Sequence, residues 1–347
     1  MQRSITSNNF DFLRLVAAYL VLVSHQFALA GRAEPGIGVQ SLGGLGVAIF
    51  FSISGYLVAQ SWTRDPSIWR FLAKRVLRIW PGLIVVTAAA ALLLGPLVST
   101  LPLDQYFLSP QTWDFFRTLK LTIRYELPGV FSENPFANAV NGSLWTLPIE
   151  FRCYLILMVL GLVGLFRRRY LLLIGTIIFA VYVFVIDNAQ YKPHRKLNYE
   201  FGAFFCYGTC LHCFRAFWMP RMKAMLFAVG VGAAVLFVVG REYTALFLML
   251  PVLVISFGEQ STPFVRCAER FGDLSYGIYI YAFPVQQTVV LLTANSLPIW
   301  GALAISTTVT IAVAFLSWHL IESPALHLKR YLAKSANQRR YSEAVVN

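Results

Sequence analysis

From Leu274 to Ile321 the chain runs without a single formal charge. A helix rises about 1.5 Å per residue and the hydrocarbon core of a bilayer is about 30 Å thick, so about 20 apolar residues make one crossing. The stretch is therefore long enough for two crossings, with the turn at Asn295-Ser296-Leu297-Pro298. Leu15 to Gly31 and Ile79 to Leu103 are also charge-free. A chain of 347 residues that is 57% hydrophobic and 13% charged carries more apolar surface than one soluble core can bury. The expected fold class is an all-α integral membrane protein, a bundle of about ten transmembrane helices.

The spans are predicted near 9–30, 44–63, 79–98, 143–166, 170–187, 199–215, 223–240, 243–259, 274–294 and 299–321. With the N-terminus in the cytoplasm, 19 Lys and Arg residues fall inside, 8 outside and 2 (Arg14 and Arg152) within spans. That asymmetry predicts two cytoplasmic termini. Lys192, Arg195 and Lys196 run against it, since they fall outside. Residues 1–330 read as one transmembrane domain and residues 331–347 as a polar cytoplasmic tail. The first apolar stretch is long and no small-residue cleavage site follows it, so it is expected to stay as the first helix.

The formal charge of +13 is scattered between apolar spans instead of being gathered on one surface, which argues against a nucleic-acid partner. Five cysteines give no disulfide framework. Cys206, Cys210 and Cys213 share a helical face beside His212, a pattern read as small residues at a helix seam, with no metal expected. Between 99 and 142 lies one long external segment carrying Tyr106, Phe107, Trp113, Phe115, Phe116 and Tyr125. These rings are expected at the membrane interface, and rings of this kind also stack on sugars.

An ionisable side chain within an apolar span is costly and marks a candidate site. The first span holds Arg14 and His25, with Asp11 near its start. Eleven residues are three turns plus about 20°, so the two share a face about 16 Å apart. The interval between Arg152 and Arg167 is too short to cross the hydrocarbon, so the fourth span takes Glu150 into the membrane. The alternation of spans brings His25 and Glu150 to similar depth, where a carboxylate can orient a general-base imidazole. A purely structural pairing of Glu150 with Arg152 or Arg14 is the alternative. Arg75 and Arg78, spaced i, i+3 at the start of the third span, point the same way and can fork onto phosphates, although interfacial arginines also anchor lipid headgroups.

These residues sit in segments that recur in order along the chain. They are Asn9-Phe10-Asp11-Phe12-Leu13-Arg14 with His25, and Gly46 to Leu57 (GVAIFFSISGYL). Next come Arg75-x-x-Arg78 before Pro81, Asn141 to Glu150 (NGSLWTLPIE), Leu274 to Tyr279 (LSYGIY) and Glu322-Ser323-Pro324. The ordered set resembles the membrane-bound acyltransferase family 3, whose bacterial members O-acetylate lipopolysaccharide O-antigen, exopolysaccharides and nodulation oligosaccharides. The resemblance implies that His25 is the catalytic histidine, and that Arg14, Arg75 and Arg78 are essential arginines. Relatives commonly carry a histidine where this chain has Ala282, so no second imidazole is expected there. The hydrolase-like domain fused to some relatives is not expected here, and Gly272-Asp273-Leu274-Ser275 is expected to open a helix instead of forming a nucleophile motif.

The expectation is then an O-acetyltransferase of the bacterial cytoplasmic membrane. Acetyl-coenzyme A would enter from inside, with its phosphates on Arg75, Arg78 and Arg14. His25, oriented by Glu150 and with Ser54 or Ser143 helping position, would deprotonate a hydroxyl of a glycan or lipid-linked oligosaccharide on the outside. A transporter or flippase of a lipid-linked sugar is the rival from another class, disfavoured by the lack of an internal repeat. A non-carbohydrate small-molecule acceptor is a nearer alternative.

Overall fold

The computed structural model describes residues 8–186, 197–263, 265 and 272–329. Within them the chain is helical apart from loops and a short hairpin, Gly36–Ile37 against Gln40–Ser41. In lipid every backbone N–H and C=O must be paired within its own segment, which is why the apolar runs become helices. In chain order the long helices are α1 (Phe10–Leu29), α2 (Leu42–Arg64), α3 (Ile68–Ala89), α4 (Leu147–Leu162) and α5 (Arg169–Val181). They continue with α6 (Leu197–Cys213), α7 (Met222–Val238), α8 (Glu242–Gly258), α9 (Ser275–Leu292) and α10 (Ile299–Ser317). With the short turns that extend some of them, seven among the described residues are long and apolar enough to cross a membrane; α6, α8 and α9 complete the bundle. The chain is a multi-pass helical membrane protein.

The third crossing starts earlier than hydropathy indicates. It begins at Ile68, not at residue 79, and runs on to Val98 through a π-helical turn at Ala90–Leu94. Hydropathy marks where apolar residues begin, whereas the helix begins where its first turn can be satisfied. Asp65 anchors that first stretch by accepting from Arg70 (Nη2, 2.5 Å) and Lys74 (2.8 Å). Arg75 and Arg78 therefore project from within α3. At the far end, the Tyr106 hydroxyl donates to the Ala91 carbonyl (2.8 Å) inside the π-helical turn.

Packing between helices in lipid depends on close approach more than on hydrophobic driving force. A Cβ on Gly55 of α2 would fall inside the Phe205 carbonyl of α6, and one on Gly208 of α6 inside the Ser52 carbonyl of α2. These two glycines let the helices touch backbone to backbone and fix the position of Ser54 on α2. The helix of the three cysteines is used in packing: Cys210 Sγ meets Thr176 Oγ1 at 3.2 Å, and His212 Nε2 meets Thr63 Oγ1 at 2.9 Å.

The segment between α3 and α4 folds into a cap. Tyr106 and Phe115 are buried in it with Leu127, Val130, Phe131 and Val140, so these two rings are unavailable to a ligand. Trp113 stays exposed and stacks on Phe116 (centroids 6.1 Å apart), and Phe107 and Tyr125 are also exposed. Arg3, Lys192, Arg195, Lys196, Arg266, Arg270 and the tail 331–347, all used in the topology reading, lie outside the described residues.

Candidate active site

At one end of the bundle α1, α3 and the start of α9 bring cations together. Oδ2 of Asp273, two residues before α9, lies 2.7 Å from Nη2 of Arg78 and 3.4 Å from Nη1 of Arg14. Arg14 also reaches Oδ1 of Asp11 at 3.1 Å. Ser275 Oγ donates to the other Asp273 oxygen at 2.5 Å. Burial pushes the Asp273 carboxyl up, but Arg78 and Arg14 more than offset it and hold it down at about 2.

Arg75 has no carboxylate partner among the described residues. Its guanidinium lies against the rings of Phe71 (5.7 Å) and Tyr154 (5.5 Å), and its buried Nε makes no hydrogen bond. Lys74, tied to Asp65, and Lys329, beyond α10, stand at the same mouth.

A cavity of about 280 Å³ leads from this mouth into the bundle. Arg14, Arg75, Arg78, Lys74 and Lys329 line its basic end, and Ser54, Glu150, Tyr154, Thr146 and Tyr279 its interior. Glu150 sits one turn before Tyr154 on α4 and accepts from the Tyr154 hydroxyl and from Ser54 Oγ (3.0 Å). Ser54 and Tyr154 are themselves 3.1 Å apart, which closes a three-membered hydrogen-bond set.

His25 lies beyond the cavity lining. The Tyr279 hydroxyl donates to the Ser143 carbonyl (2.7 Å) and is hydrogen-bonded to Thr146 Oγ1 (2.6 Å), forming a partition. On the other side of it, Ser143 Oγ stands 3.4 Å from Nδ1 of His25, whose ring meets Phe283 edge-on at 5.3 Å. The other ring nitrogen, Nε2, has no hydrogen-bond partner among the described residues.

The expected pairing of His25 with Glu150 differs from what the structure holds. Among the described residues the two share no hydrogen bond. The chain enters α4 through a 3-10 turn, Gly142–Thr146, which aims Ser143 at His25. Glu150 follows two helical turns later, roughly 12 Å deeper by the rise of the two helix types. Ser143 and Glu150 stand on one continuous helical span, Gly142–Leu162, so the imidazole and the carboxylate mark two levels along it.

The structure thus brings Arg14, Arg75, Arg78 and Glu150 to one cavity and joins His25 to its inner end through Ser143. Sequence reasoning missed Thr146, Tyr154, Tyr279, Asp273 and Lys329. Tyr279 was within reach, as the last residue of the quoted Leu274–Tyr279 segment, and Tyr154 follows Glu150 at helical spacing. Ala282 is buried against Ala18 and Leu22 of α1, a small residue at a tight helix contact.

A helical bundle with a cavity that is cationic at its mouth and polar within can hold an anionic ligand. Residues 7–319 match the model of the acyltransferase 3 family, described as an acyltransferase domain. The chain belongs to that family. An "O-acetyl transferase" of Shigella phage Sf6 is 32% identical over 349 residues, covering 95% of this chain and 97% of the relative. "Nodulation protein 10" of Rhizobium leguminosarum bv. viciae is 30% identical over 362 residues, covering 94% and 95%. No solved structure matches the chain. This acyltransferase 3 protein is a membrane O-acetyltransferase, so its reaction needs an acetyl donor and a hydroxyl acceptor.

Proposed function

We propose that the donor is acetyl-coenzyme A, held from the cytoplasmic side, and that the acceptor is a hydroxyl of a cell-surface or exported glycan presented at the opposite face. The observation that carries this reading is the cavity itself, with cations at one end and an imidazole just past the other. The residues at the mouth fit a phosphate-rich carrier. Arg75 offers a buried Nε without a partner among the described residues, and Arg78 and Arg14 converge on one acidic oxygen, as they would on a phosphate oxygen. Bound there, a thioester supplies the acetyl group.

The chain's own residues do the rest. Ser143 accepts the Nδ1 proton of His25 and so holds the tautomer whose Nε2 lone pair is free to take the proton of an attacking hydroxyl. Ser54 and Tyr154 hold Glu150 on the cavity wall as a fixed acceptor for polar groups of the donor's arm. Trp113 on Phe116 offers an exposed aromatic face to a sugar ring. The excess of Lys and Arg on the side of Arg75 and Arg78 supports a cytoplasmic placement of that side and of both termini, in a bacterial inner membrane.

The test uses purified chain, labelled acetyl-coenzyme A and an acceptor oligosaccharide, measuring release of free thiol together with label on the glycan. Thiol release without label on carbohydrate would refute the glycan acceptor; no release would refute the donor.

A further inference from the structure

The mouth of the donor cavity carries its own anion. Oδ2 of Asp273 lies at the focus of Arg78 (2.7 Å) and Arg14 (3.4 Å), while Ser275 Oγ holds Oδ1 at 2.5 Å and so keeps Oδ2 turned towards the guanidinium groups. The Asp273 side chain is only 13% exposed and lines the cavity. Asp11 also touches Arg14, at 3.1 Å, but from a side chain that is 40% exposed. Glu322 is buried nearby, with Oε1 taken by Ser317 (2.9 Å). Lys74 is occupied by Asp65. Two of the three arginines expected to meet phosphate are therefore already paired inside the protein, leaving Arg75 and Lys329 as the cations without a carboxylate partner among the described residues.

We infer that Asp273 is a specificity-determining counter-ion of this mouth: its carboxylate holds Arg14 and Arg78 where a phosphate oxygen must sit, and an anionic carrier binds only by displacing it. This rests on the donor reading given above. Two consequences follow from charge alone. Singly charged anions lack the attraction to displace a carboxylate fixed by two arginines and a serine, so the mouth selects a ligand with several negative charges. After the acetyl group has left, the same carboxylate competes for the arginines and favours release of the spent carrier.

Asp273→Asn keeps the shape and removes the charge. For the full chain in detergent, isothermal titration with coenzyme A and with adenosine 3′,5′-bisphosphate should show binding about tenfold tighter in Asp273→Asn than in wild type, where a tenfold change is about 1.4 kcal/mol. The affinity of the variant should fall more steeply with salt, and inorganic phosphate should compete better than against wild type. Asp273→Glu, which restores the charge, should return towards wild-type affinity. If Asp273 only props up Arg78, Asp273→Asn binds both ligands more weakly, and that result overturns the inference, as does unchanged affinity. Failure of wild-type protein to bind coenzyme A removes the donor reading and the counter-ion role together, whereas wild-type binding with no gain in the variant removes the counter-ion role alone.

Discussion

Ser143 Oγ stands 3.4 Å from Nδ1 of His25, and the carbonyl of the same serine accepts from the hydroxyl of Tyr279. One residue thus ties the imidazole on α1 to the inner end of a cavity lined by α2, α3, α4 and α9. The tie exists because α4 is entered through a 3-10 turn capped by Asn141, whose side chain accepts from the Ser143 N–H and donates to the Ile280 carbonyl of α9. The serine is fixed from both sides, so its hydroxyl can serve as the orienting acceptor for His25.

Replacing His25 with Ala should lower acetyl transfer by about 10²- to 10⁴-fold, the range for loss of a general base. The protein should elute from gel filtration unchanged. Ser143→Ala keeps the imidazole but frees its tautomer, so kcat should fall by a smaller factor while KM for the donor stays put. Full activity in His25→Ala would exclude the imidazole as the base.

Glu150 makes a different prediction, because its bonds go to Ser54 and Tyr154 and not to His25. Glu150→Gln should raise KM for the donor and leave the acidic limb of the pH–rate profile where it was. A shift of that limb would mean that the carboxylate acts on the imidazole despite their separation. Tyr154→Phe should move KM in the same direction, because it removes one hydrogen bond from the same carboxylate.

The ionisable residues of this site were legible because lipid makes them conspicuous. Arg14, His25 and Glu150 stand in segments that otherwise repel charge, and Arg75 and Arg78 are spaced to point together. Which residue each one touches was not legible. The partner of His25 depends on where α4 starts, and a short 3-10 turn leaves no hydropathy signal. Asp273 was passed over because it sits at a loop end, where an acidic residue is ordinary; only the convergence of α1 and α3 makes it the meeting point of two arginines. Likewise the start of α3 was masked by charge, since Arg70 and Lys74 look like a loop until Asp65 is seen to accept from both.

Gly208→Ala tests the backbone contact that seats α2 against α6. The added Cβ would overlap the Ser52 carbonyl, and a carbonyl within a helix cannot turn aside as a side chain can. The cost expected for overpacking is about 1–3 kcal/mol, read as a lower melting temperature in detergent. Gly175→Ala, where a Cβ meets nothing, is the control and should melt with wild type.

Lys329 gives the mouth a pH dependence near neutrality. Burial, and then the charges of Arg75, Arg78, Lys74 and Arg14, lower its ammonium to about 7. It is therefore a cation below that pH and neutral above it, so the mouth loses one positive charge as pH rises through about 7. Affinity for coenzyme A should be several-fold weaker at pH 8 than at pH 6. Lys329→Met removes the titrating group and should bind at pH 8 about as wild type does, without the gain that the charged lysine gives wild type at pH 6. The phosphates of the ligand also titrate, but they gain negative charge as pH rises and so push affinity the opposite way. The variant carries that contribution alone, and the difference between the two proteins isolates the lysine. Equal pH dependence in wild type and Lys329→Met would show that Lys329 keeps its proton throughout, held by an anion at the mouth.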